Sequence, residues 1–281
     1  MTTTLQHPTG IEPAAPPATA PAPANRQRRL ASALRSEWIK LATVRSPRAI
    51  LALTIAVGGT AAFMVARFVD EPDVNVATVF GFSAVFTAVF AAVSGVLTYT
   101  TEAEHHTAHQ TFAAQPRRGL VVAAKTLITA AYAAVLGLAG LAAGAAGAAL
   151  GGVEAGDTST IPATVAWATG FAVLAGVLGL GIGLIARQSA AAISGVLVWW
   201  LVVESLVSVF APDRVVRFMP FFAGNGMLEI VEEGERIAFD RPLTTVIFAA
   251  YALGALLIGL AVTARTDPLI PQHRSRKEHP P

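Results

Sequence analysis

Side chains suited to chemistry concentrate between Thr101 and Gly119, in TEAEHHTAHQTFAAQPRRG, which holds two glutamates, three of the chain's six histidines and an arginine pair. On a helix, Glu102, His105, His106 and His109 fall within about 100° of one face. Imidazole and carboxylate together are a zinc-type ligand set. Zinc hydrolysis on a helix, however, uses H-E-x-x-H with the Glu as general base. Here the run is His105-His106-Thr107-Ala108-His109, and that Glu is missing. Two readings stand: a metal-dependent membrane enzyme built on His105 and His109, or the wet polar face of a short helix with no bound metal.

Three other constellations invite chemistry. GLVVAAKT, Gly119 to Thr126, comes close to the phosphate-binding G-x-x-x-x-G-K-[ST]. Ala124 occupies the second glycine position, and a helix entering a membrane has no backbone N–H groups to wrap a phosphate. ATP is therefore not expected to bind there. EEGER, Glu232 to Arg236, clusters carboxylates in a polar loop with no histidine nearby in sequence, the pattern of a solvated charge run. Glu204, in WWLVVESLVSVF, lies within an apolar run. A carboxylate in hydrocarbon costs about 2.5–3.5 kcal/mol on insertion scales, so it must pair, face the bundle interior or protonate. It reads either as a translocation-path contact or as a structural hydrogen bond to a neighbouring helix. The chain has no cysteine, which excludes a disulfide framework, thiolate metal sites and a cysteine nucleophile. None of these features calls for a cofactor.

The elements that would position these groups are membrane helices. Of 281 residues, 54% are hydrophobic and 14% charged, with a mean hydropathy of +0.58. A soluble domain needs more charge to cover its surface. Six apolar segments, at about 50–69, 77–100, 126–152, 163–186, 190–210 and 243–264, each reach the ~20 residues that span a bilayer as a helix. The expected fold is an all-α membrane protein of six transmembrane helices. Residues 1–27 form a Pro/Ala-rich tail expected to be disordered, without the basic start and apolar core of a signal peptide. In residues 28–48, Leu30, Leu34, Trp38 and Leu41 form one apolar stripe, with Lys40 and Arg45 among the basic residues beside it. This predicts an amphipathic helix at the membrane surface, ended by Ser46-Pro47. Gly140/Gly144, Gly147/Gly151 and Gly179/Gly183 have the spacing that lets helix backbones approach in lipid.

Charge sets the orientation. Fifteen of the 20 Lys and Arg lie before span 1, between spans 2 and 3, between spans 4 and 5, or after span 6. The short loops on the other side, DEPDVN and EAGDTST, are acidic. The positive-inside rule places both termini, the 101–118 segment and the 268–281 tail in the cytoplasm, and the long 211–242 loop outside. The same rule accounts for the pI of about 9.3 without invoking nucleic acid. No second ionisable residue lies deep in any span, which argues against an ion-driven carrier.

Taken in order, a basic amphipathic SEWIKLATVRSPR before span 1 and a segment ending PRRGLVVAAK after span 2 resemble the ABC-2 type permease subunits of bacterial ABC transporters. Counted back from Pro116, Glu102 matches that family's Glu and Thr107 its Thr, while Arg117, Arg118 and Lys125 match its basic end. Ala103 replaces the usual aromatic and His106 the usual Gly. Glu204, followed by FMPFFAGNG, matches the family's fifth span and outer segment. The resemblance covers about residues 34–268 and implies a plasma-membrane exporter subunit of residues 49–267 without a motor of its own. A second permease subunit, alike or different, would pair with it, and a separate ABC ATPase subunit would hydrolyse ATP. The resemblance also implies that a coupling helix at about 101–118 takes the push from that ATPase through Glu102, Glu104, Thr107, Arg117 and Arg118. Arg117 and Arg118 would hold lipid headgroups or acidic side chains of the ATPase. A membrane sensor or assembly partner that transports nothing is the remaining alternative.

Overall fold

A computed structural model of the chain describes residues 26–69, 76–105, 107, 118–153, 158–228 and 239–265. Among them every regular element is helical. The expected tails lie outside these residues, apart from Arg26 and Gln27, which open the first helix.

Six helices are long and apolar enough to cross a membrane. They are α2 (Arg45–Phe68), α3 (Val76–Glu104), α4 (Arg118–Gly151), α5 (Ile161–Ala186), α6 (Ser189–Phe210) and α9 (Arg241–Arg265). Before them runs α1 (Arg26–Thr43), and between α6 and α9 lie two short helices, α7 (Asp213–Val216) and α8 (Pro220–Gly226). The 211–242 segment is thus partly helical rather than a plain loop.

The surface helix ends earlier than its sequence suggests. The break falls at Val44, which is extended (φ −74°, ψ 147°), and Arg45 opens α2. Pro47 sits in the first turn of α2, where the helix needs no backbone N–H from it. Arg45 therefore belongs to the first span, not to the surface helix.

Small residues set how closely the spans pack. α3 and α5 form the central pair. A Cβ placed on Gly95 would lie 2.0 Å from the Gly176 carbonyl oxygen, and one on Gly179 would lie 2.0 Å from the Ala92 oxygen. Gly147 meets Gly59 of α2 in the same way, at 2.3 Å. Gly140 and Gly144 receive Thr87 and Ser83 of α3, and the Ser83 hydroxyl donates to the Gly140 carbonyl at 2.8 Å. The glycine pairs read from the sequence thus sit at close contacts between α2, α3, α4 and α5, with backbone at Gly147, Gly179 and Gly183 and with small side chains at Gly140, Gly144 and Gly151. Toward the end of the bundle that carries α8, Phe171, Trp200, Phe221 and Phe248 form an aromatic cluster, with Trp200 and Phe221 stacked at 4.2 Å.

Candidate functional site

The charged site lies where α1, α3 and α4 meet, at the end of the bundle that carries Arg45, Arg118 and Arg265. Each element supplies what its sequence allows. α3 stays helical two turns past its most apolar stretch, so Glu102 and Glu104 project from its last turn. α4 begins at Arg118, seven residues before Lys125 and well before the apolar run, so Lys125 falls inside the helix. α1 contributes Glu37 and Lys40, three residues apart on one face.

These four residues close a ring of alternating charge. Lys40 Nζ donates to Glu37 Oε1 at 2.8 Å and to Glu102 Oε1 at 2.8 Å. Lys125 Nζ donates to Glu37 Oε2 at 2.8 Å, to Glu102 Oε1 at 2.7 Å and to the Thr98 carbonyl at 3.4 Å. Lys125 is 1% exposed and Glu37 6%, whereas Lys40 is 37% exposed. A buried charge survives only when paired and hydrogen-bonded, and the ring is neutral. Burial pulls the pKa of Lys40 down, but the hydrogen bonds and charges of Glu102 and Glu37 outweigh it and hold the ammonium above its ordinary 10.5.

The neighbouring groups tie the same end of α3 to other helices. Glu104 accepts the Ser189 backbone N–H at 2.6 Å and its hydroxyl at 3.0 Å, so a carboxylate sits on the N-terminus of α6. The Ser189 hydroxyl oxygen also lies 2.7 Å from that of Thr100. Arg118 donates to the carbonyls of Thr263 and Ala264 at 2.7 and 2.9 Å, so a cation caps the C-terminus of α9. Its guanidinium thus engages the C-terminus of α9. Thr107 returns its backbone N–H to the Glu102 carbonyl at 3.0 Å, closing α3 just past Glu104.

That closure changes the reading of the 101–118 segment. Glu102 and Glu104 are the last turn of a span rather than the start of a separate coupling helix. His105 lies in the turn that follows, and the helical face on which Glu102 and the histidines were aligned is interrupted there. His106, His109 and Arg117 fall outside the described residues. Among the described residues no three His, Asp or Glu come together as a metal site.

Trp38 is 58% exposed, on the outward face of α1. Glu37 is the member of the ring not singled out from sequence. The signal was present: Glu37 lies three residues after Leu34 and four before Leu41, inside the apolar stripe. An acid there must find a buried cation once the stripe packs.

Glu204 is a separate site at the other end of α6. Trp199 to Val203 form one π-helical turn, and the Glu204 backbone N–H donates to the Trp199 carbonyl. Beside this wider turn the Trp199 indole N–H donates to Glu204 Oε1 at 2.9 Å. Glu204 also accepts the backbone N–H of Phe221 at 3.0 Å and of Phe222 at 2.8 Å. The carboxylate is 7% exposed and serves the open N–H groups in the first turn of α8. Of its two sequence readings, this geometry is that of the structural bond to a neighbouring helix.

A cavity of about 620 Å³ lies beside the charged ring, lined among others by Lys40, Leu41, Ile50, Leu97, Glu102 and Ile128. Comparison with known protein families and with curated proteins finds no match to this chain.

Proposed function

We propose that this chain is the permease subunit of an ATP-driven ABC transporter of the ABC-2 type, an exporter of the plasma membrane with both termini in the cytoplasm. In this reading it pairs with a second permease subunit, and separate ATPase subunits supply the energy. The six membrane-length helices support the class. The observation that carries the mechanism is that the last turn of α3 is a junction. Glu102 joins it to α1 and α4, and Glu104 joins it to α6. A force applied to the segment after α3 acts on four helices at once, because polar contacts rather than flexible chain connect them. Alternating access needs such rigid transmission between an ATPase surface and the spans. Glycine-mediated backbone contact between α3 and α5 would carry the movement through the bundle as one body.

The deciding experiment is purification of the full chain from its native membrane in mild detergent. The expected result is co-purification of an ATPase subunit and ATP hydrolysis by the complex. A chain that purifies without any ATPase overturns the reading. Orientation is tested by single cysteines introduced at His105 and Thr160 in this cysteine-free chain. The first should label only from the cytoplasm and the second only from outside.

A further inference from the structure

We propose that the cavity between α1, α3 and α4 binds one zwitterionic aminophospholipid drawn from the surrounding bilayer. This does not rest on the transporter reading; it requires only that the six helices lie in a membrane. The cavity volume of about 620 Å³ is that of a pocket for a small ligand or part of a lipid, within the usual ~300–1,000 Å³. Its lining is amphipathic. Leu41, Ile50, Leu97 and Ile128 form apolar wall, and Lys40 and Glu102 form a charged end. Val44, at the break between α1 and α2, lines the cavity and is 48% exposed, so the apolar wall reaches the protein surface there.

The hydrogen bonds left to be made define the headgroup. An ammonium has three N–H donors. Lys125 uses all of its donors on Glu37, Glu102 and the Thr98 carbonyl, and it is buried behind the ring. Lys40 gives two of its donors to Glu37 and Glu102 and remains 37% exposed. Glu102 receives both lysines on Oε1, and among the described residues Oε2 receives none. Among the described residues, one ammonium N–H of Lys40 and one carboxylate oxygen of Glu102 are therefore left without a partner, and both residues line the cavity.

An anionic headgroup would match Lys40 but face the two carboxylates. A lone amine would match Glu102 only. A headgroup with both a phosphate and a primary ammonium matches both groups, the phosphate on Lys40 and the ammonium on Glu102 Oε2. A quaternary ammonium has no N–H to give Oε2, so choline lipids should bind less well.

The test is native mass spectrometry of the full purified chain, equilibrated with equal amounts of phosphatidylethanolamine, phosphatidylcholine and phosphatidylglycerol. The expected result is one retained phosphatidylethanolamine per chain, favoured about tenfold over either competitor, the ratio worth one charge-assisted hydrogen bond. Equal retention of the three lipids, or preference for phosphatidylglycerol, overturns the proposal. Glu102→Gln should keep a bound lipid and lose the preference. Leu97→Trp, which fills the apolar wall and leaves the ring alone, should lose the lipid; undiminished retention there counts against the site. Phosphoethanolamine without chains, added in excess, should not displace the lipid. Displacement would assign the site to a soluble zwitterion and refute the lipid assignment.

Discussion

Lys125→Met tests whether the four charges act as one unit. Methionine keeps the unbranched length and helix preference of lysine but removes the cation. The loss strips a 2.8 Å bond from Glu37 and a 2.7 Å bond from Glu102. Two carboxylates then share Lys40 alone, and one negative charge is left uncompensated where Glu37 is 6% and Glu102 12% exposed. Breaking a buried pair from one side costs about 3–5 kcal/mol. At about 2–4 °C per kcal/mol for a protein of this size, Tm should fall by about 6–20 °C. The assay is thermal unfolding of the detergent-solubilised chain followed by tryptophan fluorescence. Adding Glu37→Gln removes the excess charge and leaves a neutral Lys40–Glu102 pair. The double variant should regain about 1–3 kcal/mol relative to the sum of the two single losses, the coupling expected of side chains in one network. If the two losses simply add, or if Lys125→Met shifts Tm by under about 2 °C, the ring is not a unit and the junction at the end of α3 loses its basis.

Three further outcomes follow from the same contacts. Gly95→Ala would bring a methyl group 2.0 Å from the Gly176 carbonyl oxygen and should abolish a monodisperse protein in size-exclusion chromatography, whereas Gly195→Ala, which meets nothing within 4 Å, should behave as the parent. Glu204→Ala leaves the N–H groups of Phe221 and Phe222 without their acceptor, at about 1–3 kcal/mol each, and should speed hydrogen exchange across 220–226; Glu204→Gln, which keeps one oxygen, should be intermediate. Because the pKa of Lys40 is raised in the folded chain, its stabilising contribution is complete below pH 10.5 and is lost as pH rises above that value; the difference in Tm between the parent and Lys40→Met should therefore be constant up to about pH 10 and shrink beyond it.

Long-range features were legible in the sequence because each depends on many residues at once. Six spans follow from apolar runs matched to bilayer thickness, and the close contacts of α3 with α5 follow from glycine spacing. The ends of the elements were harder to read, since there one residue decides. Pro47 looked like a helix stop, yet proline fits the first turn of a helix as readily as it ends one, and only the backbone at Val44 distinguishes the two. Hydropathy placed Glu102 and Glu104 outside the span because charge lowers any window average. The helix runs through them because the lysines and Ser189 satisfy their charges within the protein.

Glu37 shows why pairing partners resist a one-dimensional reading. Its position within the apolar stripe of α1 shows that it is buried, but its cation Lys125 is 88 residues away. That separation also bears on what the ring does. Burying two carboxylates and the Lys125 ammonium is a costly way to obtain stability, since apolar side chains of similar volume often serve as well. Charges, however, tolerate few alternative pairings. Apolar contacts would let α1 slide or rotate, whereas Glu37, Lys40, Glu102 and Lys125 satisfy one another in one register. The ring therefore holds α1 in a single position against α3 and α4, the fixed contact that the proposed transmission of force through the end of α3 would require.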